Sequence, residues 1–191
     1  MLLRRLSVVL VAVGCFAACL LSSQGARAQN EDVWALLKKP GYIILLRHSY
    51  SPDGPEVEPK FGDCSTQRNL DEAGRAQARR LGDEFRKHSI NSATLVASQY
   101  CRAIETAKLT KLGAVRELPA LNQVYMSGLR DAEQQGKQYM KTIPANQLTV
   151  LVSHISNIQA IAGVNLASGE LAVVHLDKSG AVVVDGRIKV D

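Results

Sequence analysis

Two apolar runs constrain most strongly what this chain can fold into. Tyr42-Ile43-Ile44-Leu45-Leu46 and Leu148-Thr149-Val150-Leu151-Val152 lack the polar alternation of a strand with one wet face. They are also too short for buried helices, so they read as interior strands of a sheet covered on both sides. Thr94-Leu95-Val96-Ala97 has the same character, and residues 115–118 make a further short strand ahead of Pro119. Helical stretches separate these runs. Asp71 is placed to cap a helix reaching about Lys87, with Ala78, Leu81 and Phe85 at one-face spacing. Others are expected over 100–111, 131–142 (stopped by Pro144) and 156–162. The alternation predicts an α/β fold, a three-layer α/β/α sandwich with a mostly parallel central sheet. Strands over 171–176 and 181–184, joined by Lys178-Ser179-Gly180, give it an antiparallel C-terminal portion.

The N-terminal end reads differently. Arg4 and Arg5 precede an apolar stretch from Leu6 to Leu21, and Ala26-Arg27-Ala28 is a small-x-small cleavage site. That pattern predicts a secretory signal peptide over 1–28, cleaved after Ala28. The 16-residue length of the apolar stretch falls short of a membrane span, so no stable membrane insertion is expected after cleavage. One domain, 29–191, remains, opening on a short helix capped by Asn30 and stopped by Pro40-Gly41. The formal charge of +5 overstates its basicity: three of the 23 Lys and Arg lie in the signal and none of the 18 acids do, leaving +2. Nothing there calls for nucleic acid, and Arg75, Arg79, Arg80, Arg86 and Lys87 read as a solvated helix face. Cys15 and Cys19 leave with the signal, whereas Cys64 and Cys101 remain. An even pair in a chain bound for the periplasm or beyond favours a disulfide.

Chemistry concentrates where the strands end. The first stops at Arg47-His48, the second reaches Arg102 five residues past Ala97, and the long fourth stops at Ser153-His154. Parallel strands deliver such ends to one rim, where α/β proteins hold their ligands. Two arginines and two histidines around one pocket match a phosphoryl group. Guanidinium donors pair bidentately with its oxygens, and a neutral imidazole can attack its phosphorus. The dinucleotide-binding and P-loop glycine patterns are absent from the sequence, and no cofactor is expected.

These residues carry a family likeness. Leu46-Arg47-His48, Arg102-Ala103-x-x-Thr106-Ala107 and Ser153-His154, with Gln67-Arg68-Asn69-Leu70 and Gly74-Arg75-x-Gln77-Ala78 between them, resemble the histidine phosphatase superfamily in its phosphoglycerate-mutase-like branch. The resemblance implies a phosphatase acting on a small phosphomonoester or phosphoramidate. His48 would accept the phosphoryl group, Arg47, Arg102 and His154 would hold it, and Arg68 and Asn157 would contact the substrate. Capping the helix is the competing role for Asn157, and helix packing that for Thr106 and Ala107. Many members also carry a glutamate after the third strand that protonates the leaving group. Here the stretch reads Leu118-Pro119-Ala120-Leu121-Asn122-Gln123, amides without an acid. Glu117, Asp53, Glu56 and Glu58 are the nearest substitutes in sequence. If the 49–69 loop and the Arg102 turn both border the pocket, a Cys64–Cys101 disulfide would pin one to the other.

Two other readings use the same residues. Without an acid, the fold could serve as a phosphate-ligand-binding module of the cell envelope. Alternatively, His48, His154, Cys64 and Cys101 could bind zinc, although no close ligand pair is present and two arginines would crowd the cation. No metal is expected. His88 and His175 are expected to be structural. Neither the physiological substrate nor the oligomeric state is encoded in a recognisable motif.

Overall fold

The structure, a computed structural model, describes residues 31–54, 59–123 and 128–190. The expected signal segment, the Asn30 cap, Glu56 and Glu58 lie outside the described residues.

A six-stranded sheet has the order β3-β2-β4-β1-β5-β6, with β1 Tyr42–Arg47, β2 Thr94–Ala97, β3 Val115–Glu117, β4 Thr149–Ser153, β5 Leu171–Leu176 and β6 Val182–Ile188. β3, β2, β4 and β1 run parallel, while β5 pairs antiparallel with both β1 and β6. The helices are α1 (31–36), α2 Glu72–Lys87, α3 Cys101–Thr110, α4 Leu129–Met140 and α5 Ile155–Ala162. Alternation along the strands sorts the core into two halves. Ile44, Leu46, Val150 and Val152 pack with Val33 and Trp34 of α1, Leu81 and Phe85 of α2, and Ala103 and Ala107 of α3. Ile43, Leu45 and Leu151 pack with Met140 of α4 and Ile158 and Ile161 of α5. The result is the three-layer sandwich, with both sheet faces covered.

Strand order creates the crevice. After β1 the chain crosses α2 to β2, skipping one place, and β4 later fills the gap. α2 lies on one face and α5 on the other, so the chain leaves β1 and β4 in opposite directions. A crevice opens at such a switch point, beyond the carboxyl ends of the strands.

The structure differs from the sequence expectation in several places. β6 runs to Ile188 rather than stopping at residue 184, because a bulge opposite Val173/Val174 lets pairing continue past Asp185 and Gly186. β3 ends at Glu117, one residue early. The 49–69 loop holds a 3₁₀ turn at Cys64–Thr66, begun by the Asp63 carboxylate accepting from the Ser65 N–H. His88 caps the C-terminus of α2 and stacks on Trp34 at 4.4 Å, and His175 pairs with Asp185 at 2.6 Å.

Candidate active site

β1 and β4 are neighbours in register, with Arg47 opposite Ser153. The next residue on each strand is a histidine, and ladder bonding carries on one step as the His48 N–H donates to the Ser153 carbonyl at 3.0 Å. The imidazoles of His48 and His154 meet edge to face, with ring centroids 5.2 Å apart. Both are buried, at 4% and 1% exposure. α3 secures the backbone beyond His48. The Thr106 hydroxyl accepts from the Ser49 N–H at 2.9 Å and donates to the Arg102 carbonyl at 2.7 Å. Thr106 therefore fixes the backbone just beyond His48 as well as packing its helix, a role its position in the sequence did not disclose.

Two hydrogen bonds settle the state of His48. Arg102 Nε lies 3.3 Å from His48 Nε2, and a guanidinium can only donate. Nε2 is therefore the acceptor, and Nδ1 carries the proton given to the Ser49 carbonyl at 2.8 Å. Burial, and after it the charge of Arg102, lowers the His48 pKa from 6.5 to about 3. The His154 imidazole is likewise held well below its ordinary value, first by burial and then by His48 and Arg102. Such an imidazole is an uncharged nitrogen base across the neutral range.

Cations surround this pair. Arg102 is fully buried, its guanidinium 4.4 Å from the Tyr100 ring centroid, with Nη1 donating to the Arg68 carbonyl at 3.3 Å. Arg47 anchors one end of its guanidinium on the Leu166 carbonyl at 2.8 Å. Burial and the neighbouring Arg68 charge lower its pKa. Arg68 pairs with the exposed Asp53 carboxylate at 3.6 Å. The Nε groups of Arg47 and Arg68 are buried donors without a hydrogen-bond partner among the described residues.

Sequence reasoning missed several contributors. Tyr100, fully buried, packs its ring 4.8 Å from His154 and 5.4 Å from Phe61. Ser98 Oγ lies 2.9 Å from His154 Nε2, and the Gln123 amide nitrogen 3.4 Å from His154 Nδ1. The Ser153 hydroxyl donates to the Leu121 carbonyl at 2.7 Å, tethering the amide-bearing stretch to the end of β4. One signal for Ser98 was available: it directly follows the end of β2, level with the other two strand ends. Asn157 does not cap α5, since His154 occupies the N-cap position. Its fully buried side chain turns instead to the Ala120 carbonyl at 3.5 Å.

Of the carboxylates considered as proton donors, Asp53 is engaged with Arg68 and Glu117 is exposed on β3. The described side-chain partners of the two histidines are Arg102, Ser98 and Gln123, none of them acidic. Cys64 and Cys101 are bonded to each other, with Sγ atoms 2.04 Å apart, so neither is available as a thiolate for zinc. The bond ties the 59–69 segment to the first residue of α3, next to Arg102. Gln67 reinforces the tie, accepting from the Cys101 N–H at 2.9 Å and donating to the Lys60 carbonyl at 3.1 Å.

Because the folded histidines take up protons only far below 6.5, the unfolded chain binds more protons between that value and about 3. Stability should therefore be complete above pH 6.5 and fall progressively as the solution is acidified towards 3. Urea midpoints at pH 7, 6, 5 and 4 check this; a flat series contradicts it. The disulfide closes a separation of 37 residues, for which chain entropy gives about 4 kcal/mol. Cys64→Ser with Cys101→Ser is expected to lower unfolding stability by that order, read by denaturant titration.

The histidine phosphatase superfamily (branch 1) profile matches residues 43–148, more than half of the 191-residue chain, and the chain belongs to that superfamily. The matched span holds Arg47, His48, Arg68 and Arg102, with His154 just beyond it. Among solved structures, the chain resembles the protein histidine phosphatase SixA complexed with tungstate, at 15% identity and TM-score 0.59, covering 77% of this chain and 96% of that one. It also resembles a mycobacterial glucosyl-3-phosphoglycerate phosphatase complexed with VO3, at 14% identity, TM-score 0.56 and coverage of 75% and 96%. A third is a phosphoserine phosphatase mutant from Entamoeba histolytica in complex with phosphoserine, at 12% identity, TM-score 0.54 and coverage of 76% and 95%. At these identities the likeness is one of fold. No curated protein matches the chain by sequence.

Proposed function

We propose that this chain is an exported phosphatase that works through a phosphohistidine on His48 Nε2 and favours substrates whose leaving group needs no carboxylic acid, phosphoramidates foremost. The observation carrying this reading is the unprotonated Nε2 of a buried, uncharged imidazole, reached only by a long 3.3 Å contact from Arg102 and set among Arg102, Arg47 and Arg68. Attack by Nε2 on phosphorus forms an N–P bond while the P–X bond breaks and X departs with its electron pair. Guanidinium donors stabilise the charge on the phosphoryl oxygens throughout. Water then cleaves the N–P bond, releasing phosphate and restoring the imidazole.

The leaving group narrows the substrate. An alkoxide must be protonated as it departs, and a positioned acid typically supplies ~100–10,000-fold. Asn122 and Gln123 occupy the expected stretch with amides, which hold no transferable proton at neutral pH. The nitrogen of a phosphoramidate is itself basic and can leave as a neutral amine after protonation by water. Export is supported by the Arg4–Ala28 pattern and by the Cys64–Cys101 bond, since disulfides persist in oxidising compartments. Among the described residues no helix is long and apolar enough to cross a membrane.

The test compares kcat/KM for a phosphoramidate, p-nitrophenyl phosphate and an unactivated alkyl phosphate, using protein beginning at Gln29. The first two should be turned over and the alkyl ester should lag far behind. Equal rates for all three would show that an acid is present. Absence of all turnover, with oxyanion binding that still depends on Arg47 and Arg102, would make the protein a phosphate-binding module instead.

A further inference from the structure

Ser98 and Asn122 are buried polar side chains, at 0% and 7% exposure, for which the reaction above has no use. Their hydrogen bonds form a chain whose direction can be worked out from one end. The Gln99 backbone N–H, an unambiguous donor, points at Asn122 Oδ1 from 2.9 Å. The other end of the same amide, Nδ2, donates to Gln99 Oε1 at 3.0 Å. Asn122 is thus oriented oxygen-inward by the backbone, and a flipped amide would set N–H against N–H. Ser98 Oγ lies 3.0 Å from that oxygen and must donate to it. A hydroxyl has one proton, so towards its remaining neighbours Ser98 can only accept. One neighbour is the Tyr100 N–H at 3.3 Å, and the other is His154 Nε2 at 2.9 Å.

We infer that Ser98 and Asn122 are positioning residues that hold His154 as its Nε2–H tautomer, so that an oxyanion entering the site is bound together with a proton taken up on His154 Nδ1. The inference rests on the phosphoryl-site reading above. In the neutral Nε2–H form, Nδ1 is an acceptor, held only by a long contact from the Gln123 amide nitrogen at 3.4 Å. A phosphoryl oxygen is also an acceptor, and the two repel unless a proton lies between them. Switching tautomer instead would set Ser98 Oγ and Nε2 against each other as two buried acceptors, disfavoured by roughly 5- to 150-fold in population. Protonating Nδ1 leaves the Ser98–Asn122 chain intact, because Nε2 continues to donate to Ser98; it gives up only the long 3.4 Å contact from the Gln123 amide, which must turn away as the oxyanion enters.

The charged groups facing His154 explain why the proton arrives only with the ligand. They are Arg47 at the end of β1, Arg102 from α3 and Arg68 from the loop before α2, with the titratable but uncharged His48 just past β1, and all of them oppose a cation there. Tyr100 contributes an uncharged ring, 4.8 Å away. A bound dianion offsets those positive charges and makes imidazolium the favoured state.

Tungstate is the suitable probe, because it remains a dianion near neutral pH and brings no proton of its own. Calorimetry at pH 7 in buffers of different ionisation enthalpy should show uptake of about one proton per tungstate bound. Nitrogen-15 spectra of histidine-labelled protein without oxyanion should show His154 protonated on Nε2. Ser98→Ala frees Nε2 of its acceptor, and Asn122→Ala frees the Ser98 hydroxyl to turn towards the ring. Either route lets Nδ1–H donate directly, so proton uptake should fall towards zero while tungstate still binds. An Nδ1–H signal in the wild-type protein, or equal proton uptake in wild type and both variants, would overturn the inference and leave the phosphatase reading standing. A wild-type protein that binds no tungstate would overturn both.

Discussion

Replacing His48 with alanine is expected to reduce turnover by roughly four orders of magnitude or more, the scale seen when a covalent nucleophile is removed. Single-turnover mixing with labelled phosphoramidate should trap an acid-labile phosphoenzyme in wild type and none in His48→Ala. Retention of even a hundredth of the wild-type rate would mean that phosphoryl transfer does not pass through this residue. The stability of the same variant should depend on pH. At neutral pH it leaves a small cavity and removes the acceptor opposite Arg102 Nε, a modest loss. In acid the wild type is penalised for keeping an imidazole uncharged down to about 3, whereas the variant has one fewer such group. The gap in melting temperature should therefore narrow between pH 7 and pH 5.

Arg102→Ala should lower kcat/KM by ~100–1,000-fold, the usual effect of deleting one preorganised donor to a developing charge. Loss of that cation also weakens one of the causes holding the His48 pKa down. The residual activity should accordingly lose its acid limb at a higher pH than wild type, a shift that damage to folding alone would not produce. Arg102→Lys is expected to recover only part of the rate. An ammonium restores charge but not the fixed fork that reaches His48, the Arg68 carbonyl and the Tyr100 face together. A pH–rate profile for each variant decides the matter; full rescue by lysine would reduce Arg102 to a point charge.

How much of this was legible in the sequence depended on whether the information was periodic or spatial. β1, β4 and α2 announced themselves because apolar runs and one-face spacing are local patterns. The strand ends were legible too, since a parallel sheet allows little choice about where they gather. The Cys64–Cys101 pair emerged from counting, only two cysteines remaining beyond the expected signal. What escaped was any partnership between chain segments carrying ordinary residue types. Ser98, Asn122 and His154 stand 24 and 56 residues apart in their pairings, and a serine after a strand or an amide in a loop carries no mark of its partner. Thr106 belonged to a helical pattern that packing alone seemed to satisfy. Asn157 invited a capping role through its nearness to a helix start, but its position inside the first turn turned it elsewhere. In β6, the apolar pattern runs out at residue 184, and only pairing across the bulge with β5 keeps Asp185 and Gly186 in the strand.

The opposition of Arg47 to Ser153 also bears on how a protein of this kind can diverge. Main-chain hydrogen bonds between β1 and β4 bring the two histidines together, and such bonds are indifferent to the side chains along the strands. Ancestry can thus rewrite nearly every other position, provided two neighbouring strands stay apolar and each stops one residue before a histidine. Lineages built this way are free to exchange loops, acids and amides around a fixed pair of imidazoles. Structures that share this fold at 12–15% identity show how few side chains the fold itself prescribes.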